Sequence, residues 1–166
     1  MSQVTTDPAA PAPASASTAR PRIAVVTLGC GRNEVDSDQL AGLLHRDGSE
    51  IVDDPATADV VVVNTCAFIA PAKQESVDTV LAACDLRDDG VRAVVVTGCL
   101  AERYPDELAE AIPEADAVVG FAGYPTLPAL LGDILAGRPH PRVVTAKQSA
   151  AAPPGDVRPA EQSAAA

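Results

Sequence analysis

The chain has 166 residues, 47% of them hydrophobic, and a formal net charge of −11. That length suits one domain with a single core, and the acidic balance argues against direct gripping of a nucleic-acid backbone. No stretch approaches the ~18 apolar residues of a membrane span and no basic-then-apolar leader is present, so a cytoplasmic protein is expected, in which paired disulfides are a poor reading of the four cysteines.

Residues 1–21 are mostly Ala, Pro, Ser and Thr, and 145–166 have the same character. Neither segment can bury enough surface to offset its ordering entropy, so both are expected to be disordered tails around a folded domain at 22–144. With two Phe, two Tyr and no Trp, the core must come from Val, Leu, Ile and Ala. RIAVVTL (22–28) predicts a first strand. NEVDSDQLAGLLHRDG after Cys30 predicts a helix with apolar residues at Val35, Leu40, Leu43 and Leu44, stopping at Gly48.

Residues 50–52 predict a short strand and 59–63 a second long one. A helix follows over 72–87, with Val77, Val80, Leu81 and Cys84 assigned to one face. Residues 91–97 predict a third long strand, and ERYPDELAEAI a helix with proline inside its first turn. ADAVVG predicts a fifth strand, and 127–135 a last helix ending near Gly137. This alternation specifies an α/β fold: a three-layer, mainly parallel, five-stranded open sheet of flavodoxin- or Rossmann-like type.

Three strands end alike, in AVVTLGC at Cys30, VVVNTC at Cys66 and VVVTGC at Cys99. With strand order 2-1-3-4-5, these strands are consecutive neighbours. At about 4.8 Å between strands, the three thiols would gather within roughly 10 Å, at the carboxyl edge where open α/β sheets bind ligands. Gathered thiolates suit iron–sulfur clusters or zinc. The alternative is that they are small buried residues, which is the reading adopted for Cys84, mid-helix on an apolar face. His45 near a helix end and His140 between two prolines are poorly placed as ligands.

A thiol nucleophile of the phosphate-handling kind needs Arg six positions after its cysteine, but Asp36 and Pro105 stand there. No G-x-G-x-x-G or GxxxxGK[ST] follows a strand, so a nucleotide site has no motif support.

LGCGRNEVDSD, ADVVVVNTCAFIAPAKQES and VVVTGCLAERYPDEL resemble, in order and spacing, the N-terminal domain of the radical-SAM methylthiotransferases, over about residues 22–135. VDSD, NTCAFI with AKQES, and GCLAERY are similar to the RimO branch, which modifies an aspartate of a small-subunit ribosomal protein, rather than the tRNA-modifying branch. The resemblance implies that Cys30, Cys66 and Cys99 hold an auxiliary 4Fe–4S cluster with one open iron carrying the sulfur to be transferred. It also implies a complete enzyme with a second 4Fe–4S cluster, S-adenosylmethionine cleavage and a C-terminal RNA-binding-type domain.

Gly31 and Arg32 replace the family's usual Pro-Lys, keeping a tight turn and a cation. The chain holds no C-x-x-x-C-x-x-C, so alone it is expected to be catalytically incomplete: a fragment, a truncated product or a stand-alone cluster carrier, with a radical-SAM domain needed in cis or in trans. Asn33, Asn64 and Thr65 are candidates to orient the cysteine loops, or else ordinary turn and capping residues. Lys73 and Arg103 are candidates to face the missing domain. Two other classes stay open: a non-catalytic α/β interaction module and a zinc-binding structural domain.

Overall fold

The computed structural model describes residues 20–146. The expected tails at 1–21 and 145–166 lie outside them, apart from residues 20, 21, 145 and 146. In chain order the elements are β1 (Arg22–Thr27), α1 (Gly31–Arg46), β2 (Glu50–Ile51), β3 (Val60–Thr65), α2 (Ala70–Asp85) and β4 (Ala93–Gly98). They are followed by α3 (Cys99–Arg103), α4 (Pro105–Ala111), β5 (Ala117–Val119), α5 (Leu127–Leu135) and β6 (Val143–Val144). All pairings are parallel, in the order β2-β1-β3-β4-β5-β6.

The expected order therefore holds for the first five strands, and a sixth adds to the edge. That strand was not expected because two valines between Arg142 and Thr145 carry no readable period. It exists because β5 offers an open edge: Val118 donates its N–H to Arg142 O at 2.7 Å and Gly120 to Val144 O at 2.8 Å.

Both faces of the sheet are covered, which explains why the central strands are apolar without alternation. On one face Leu40 and Leu44 of α1 and Leu127, Leu130 and Leu131 of α5 pack with Val60, Val62 and Val95. On the other, Val80 and Cys84 of α2, Leu100 of α3 and Leu108 of α4 pack with Val61, Val63, Val94 and Val96. Val60 to Val63 and Val94 to Val96 are each 0% exposed. A buried valine contributes about 1.5–3 kcal/mol, so the sheet centre is the part of the fold least able to shift.

Three details depart from the sequence reading. Pro105 lies not inside one helix but at the start of a second, with Tyr104 between them at φ −135°, ψ 51°. Proline has no N–H to donate and disfavours helical backbone in the residue before it. The buried stripe of α2 is Ser76, Val80, Ala83 and Cys84, which leaves Leu81 40% exposed. Val35 of α1 is 56% exposed instead of facing the core.

Cys84 is a core residue, 7% exposed. Burial pushes its thiol pKa above the ordinary 9.0; Glu114, Asp116 and Asp85 reinforce this, while Arg87 opposes it. The unfolded chain therefore ionises Cys84 first. Its contribution is fully present below pH 9 and is lost as pH rises through the higher folded value. Urea unfolding from pH 8 to 10.5 should show stability falling with pH, less steeply in Cys84→Ala; equal slopes would rule this contribution out.

Candidate functional site

The carboxyl ends of β1, β3 and β4 are level, because Thr27 pairs with Asn64, Asn64 with Thr97, and Thr65 with Gly98. Each strand then leaves the sheet within three residues through a cysteine loop. Gly29 (φ +94°) and Gly98 (φ +92°) make two of these exits. A β-carbon on Gly29 would stand 2.7 Å from both Cβ and Sγ of Cys66, so the first loop lies directly against the second.

Cys30 is exposed and caps the N-terminus of α1 with extended backbone. The backbone N–H of Asn33, then that of Arg32, holds its thiol pKa below the ordinary value, as free N–H groups at a helix start favour a thiolate. Cys66 is buried. Its loop is pinned from α2: Ser76 Oγ accepts the Cys66 N–H at 3.0 Å and donates to the Cys66 carbonyl at 3.0 Å. Cys99 is half-buried as the first residue of α3. Burial raises its thiol pKa, followed by the charges of Cys66, Asp36 and Cys30, with Arg32 opposing.

The three cysteines line one cleft of about 700 Å³ with Asn33, Arg32 and Arg103. Phe68 and Ile69, 89% and 53% exposed, form its apolar side. Arg32 and Arg103 are the two basic side chains that line it. Among the described residues, no three His, Cys, Asp or Glu side chains converge closely enough to hold a single metal ion.

The candidate orienting residues do more than cap turns. Asn33 and Asn64 are 0% exposed. Asn33 Nδ2 donates to Leu28 O at 2.7 Å and Thr65 O at 3.1 Å. Asn64 Nδ2 donates to Asn33 O at 3.0 Å and Ser37 Oγ at 2.9 Å. Thr65 Oγ1 donates to Thr97 O at 2.5 Å, tying β3 to β4. Of the two cations expected to face a partner domain, Arg103 lines the cleft, whereas Lys73 sits 4.7 Å over the Tyr104 ring and donates to its hydroxyl at 3.3 Å.

His45 stays in the last turn of α1, and the His140 ring contacts Arg138 O at 3.0 Å. Sequence reasoning missed Ser76, Ser37 and the two glycines. Ser76 and Ser37 lie inside the quoted AKQES and VDSD stretches, and the Gly-Cys pair repeated at 29–30 and 98–99 was the available signal.

The model of uncharacterized protein family UPF0004 matches residues 22–120, more than half of the 166-residue chain. The chain is 57% identical over 124 residues to the ribosomal protein uS12 methylthiotransferase RimO of Nocardioides sp., covering 71% of this chain and 26% of that protein. It is 59% identical over 122 residues to RimO of Saccharopolyspora erythraea (72% and 24%) and 56% identical over 119 residues to RimO of Streptomyces coelicolor (71% and 24%). The chain thus spans about a quarter of the length of these relatives. It belongs to family UPF0004, the N-terminal domain of the methylthiotransferases, and is similar to the RimO branch.

Proposed function

We propose that this domain carries an auxiliary 4Fe–4S cluster on Cys30, Cys66 and Cys99 for a RimO-type enzyme. That enzyme methylthiolates an aspartate of a small-subunit ribosomal protein in the cytoplasm using S-adenosylmethionine. The observation that carries the reading is the meeting of three thiols, from three neighbouring strand ends, in one cleft.

The donor set fits such a group. Thiolates are the usual ligands of iron–sulfur clusters, and each would bind a different iron, so the three need not converge as the ligands of one ion do. When bound, a cluster with three protein ligands would supply an open iron for the sulfur to be transferred.

The chain's own residues have separate tasks. The N–H groups at the start of α1 favour Cys30 as thiolate. Ser76 fixes the Cys66 loop. Arg32 and Arg103 offset the anionic charge that thiolates and sulfide would gather. The second cluster and S-adenosylmethionine cleavage belong to a radical-SAM domain supplied in cis or in trans, and a C-terminal RNA-binding-type domain would help with docking. The 56–59% identity to RimO proteins favours that branch over the tRNA-modifying one.

The test is iron and acid-labile sulfide per chain after anaerobic reconstitution, with the EPR spectrum of the reduced sample. The parent should hold about four of each, Cys84→Ala should match it, and Cys30→Ala, Cys66→Ala and Cys99→Ala should fall to near zero. A parent that takes up no iron would leave a non-catalytic interaction module. One tightly held, colourless metal would indicate zinc.

A further inference from the structure

Asn33 and Asn64 are reciprocal. The side chain of Asn33, in the first turn after Cys30, donates to Thr65 O, the carbonyl just before Cys66. The side chain of Asn64, at the end of the strand leading to Cys66, donates to the backbone carbonyl of Asn33. Each amide nitrogen thus ties the first cysteine loop to the second. The amide orientations follow from chemistry, because both nitrogens face carbonyl oxygens, which only accept.

Both amide oxygens are turned towards the third loop. Asn33 Oδ1 faces Cys99 Sγ at 3.8 Å. Asn64 Oδ1 is buried with no hydrogen-bond partner. It lies against Gly98, where it is the nearest atom a β-carbon would meet. Gly98 can approach because it has no side chain, leaving a Cα–H to face the oxygen. Two buried side chains therefore touch all three loops, and neither sits at the surface, where a turn or capping role would put it.

We propose that Asn33 and Asn64 form a clamp that sets the relative positions of the three cysteine loops before any cofactor arrives. They are positioning residues acting through the cysteines. The clamp deepens the cluster reading and rests on it for the iron measurement alone.

The experiment compares the parent with Asn33→Asp, Asn33→Ala, Asn64→Ala and the control Cys84→Ala. Asn33→Asp keeps the volume and the oxygen facing Cys99 but sets a second oxygen against the carbonyls of Leu28 and Thr65. Amide hydrogen exchange is read by mass spectrometry on the metal-free chain, and iron, sulfide and the reduced EPR spectrum on the reconstituted chain. The asparagine variants should lose protection in the loops around Cys30, Cys66 and Cys99 together while the sheet core keeps it.

Those variants should also bind iron about ten- to a hundred-fold more weakly, the usual cost of losing a residue that orients metal ligands, with altered EPR line shapes in whatever iron remains. Parent-like exchange in the three loops in both Asn33 variants would overturn the clamp, and so would protection lost throughout the sheet, which would make the asparagines ordinary fold residues. If the parent binds iron and the asparagine variants bind it equally well, the clamp fails and the cluster reading stands. If the parent binds none, the cluster reading fails and loop exchange alone decides the clamp.

Discussion

Gly98→Ala should cost the fold about 2–6 kcal/mol and disorder the edge that carries the cysteines. Gly98 adopts φ 92°, ψ −164°, a region essentially restricted to glycine, where another residue pays about 1–3 kcal/mol. Its β-carbon would also stand 2.5 Å from Thr65 O and 2.6 Å from Thr65 N, and against Asn64 Oδ1. Those are atoms of the neighbouring strand and a buried amide, so relief requires β3 and β4 to separate at their carboxyl ends. Overpacking of that kind adds about 1–3 kcal/mol, against a total stability of about 5–15 kcal/mol for a domain.

Gly48 supplies the comparison. It also has positive φ, +97°, but an added β-carbon there meets nothing within 4 Å. Gly48→Ala should therefore cost only the backbone part, about 1–2 kcal/mol, and any loss at Gly98 beyond the about 3 kcal/mol that its own backbone can cost reports the clash. Urea unfolding of both reads it directly. Equal losses would mean that β3 and β4 yield easily at their ends.

Ser76→Ala should lower stability by about 2–6 kcal/mol and free the Cys66 loop. The hydroxyl serves the N–H and the C=O of the same buried residue. Its removal leaves both groups without partners in a place closed to water, at about 1–3 kcal/mol for each such group. Cys66 is 7% exposed in the parent and should react slowly with a thiol reagent. In the variant its reaction should speed up while Cys84, equally buried in the core, stays slow. A loss below about 0.5 kcal/mol, within the range of an ordinary surface change, would mean the loop holds itself.

Ser76 also shows where the pattern of apolar residues misled. Placing Val77, Val80, Leu81 and Cys84 on one face of α2 assumes that an apolar stripe marks the buried side. The buried side is instead centred near Ser76, so Leu81 turns outward. A buried serine is invisible to periodicity, because what stabilises it is a hydrogen bond to the Cys66 backbone ten residues earlier. The asparagines are harder still to read: their partners lie 31 and 32 residues away, a separation that only strand register sets.

The sequence by itself determined the first five strands of the sheet and the location of the cysteines at the ends of three of them. A strand buried on both faces must be a continuous apolar run, and the runs 60–63 and 94–96 break into polar residues, glycine and cysteine where each chain leaves the core. Those are local consequences of burial and can be read along the chain. Only the tertiary structure decided how the three loops meet. Their separation depends on the register that levels three strand ends, on glycines that let backbones touch, and on two amides joining segments far apart in sequence. Burial is a property of each segment, whereas the spacing of the thiols is a property of contacts between segments, which no single stretch encodes.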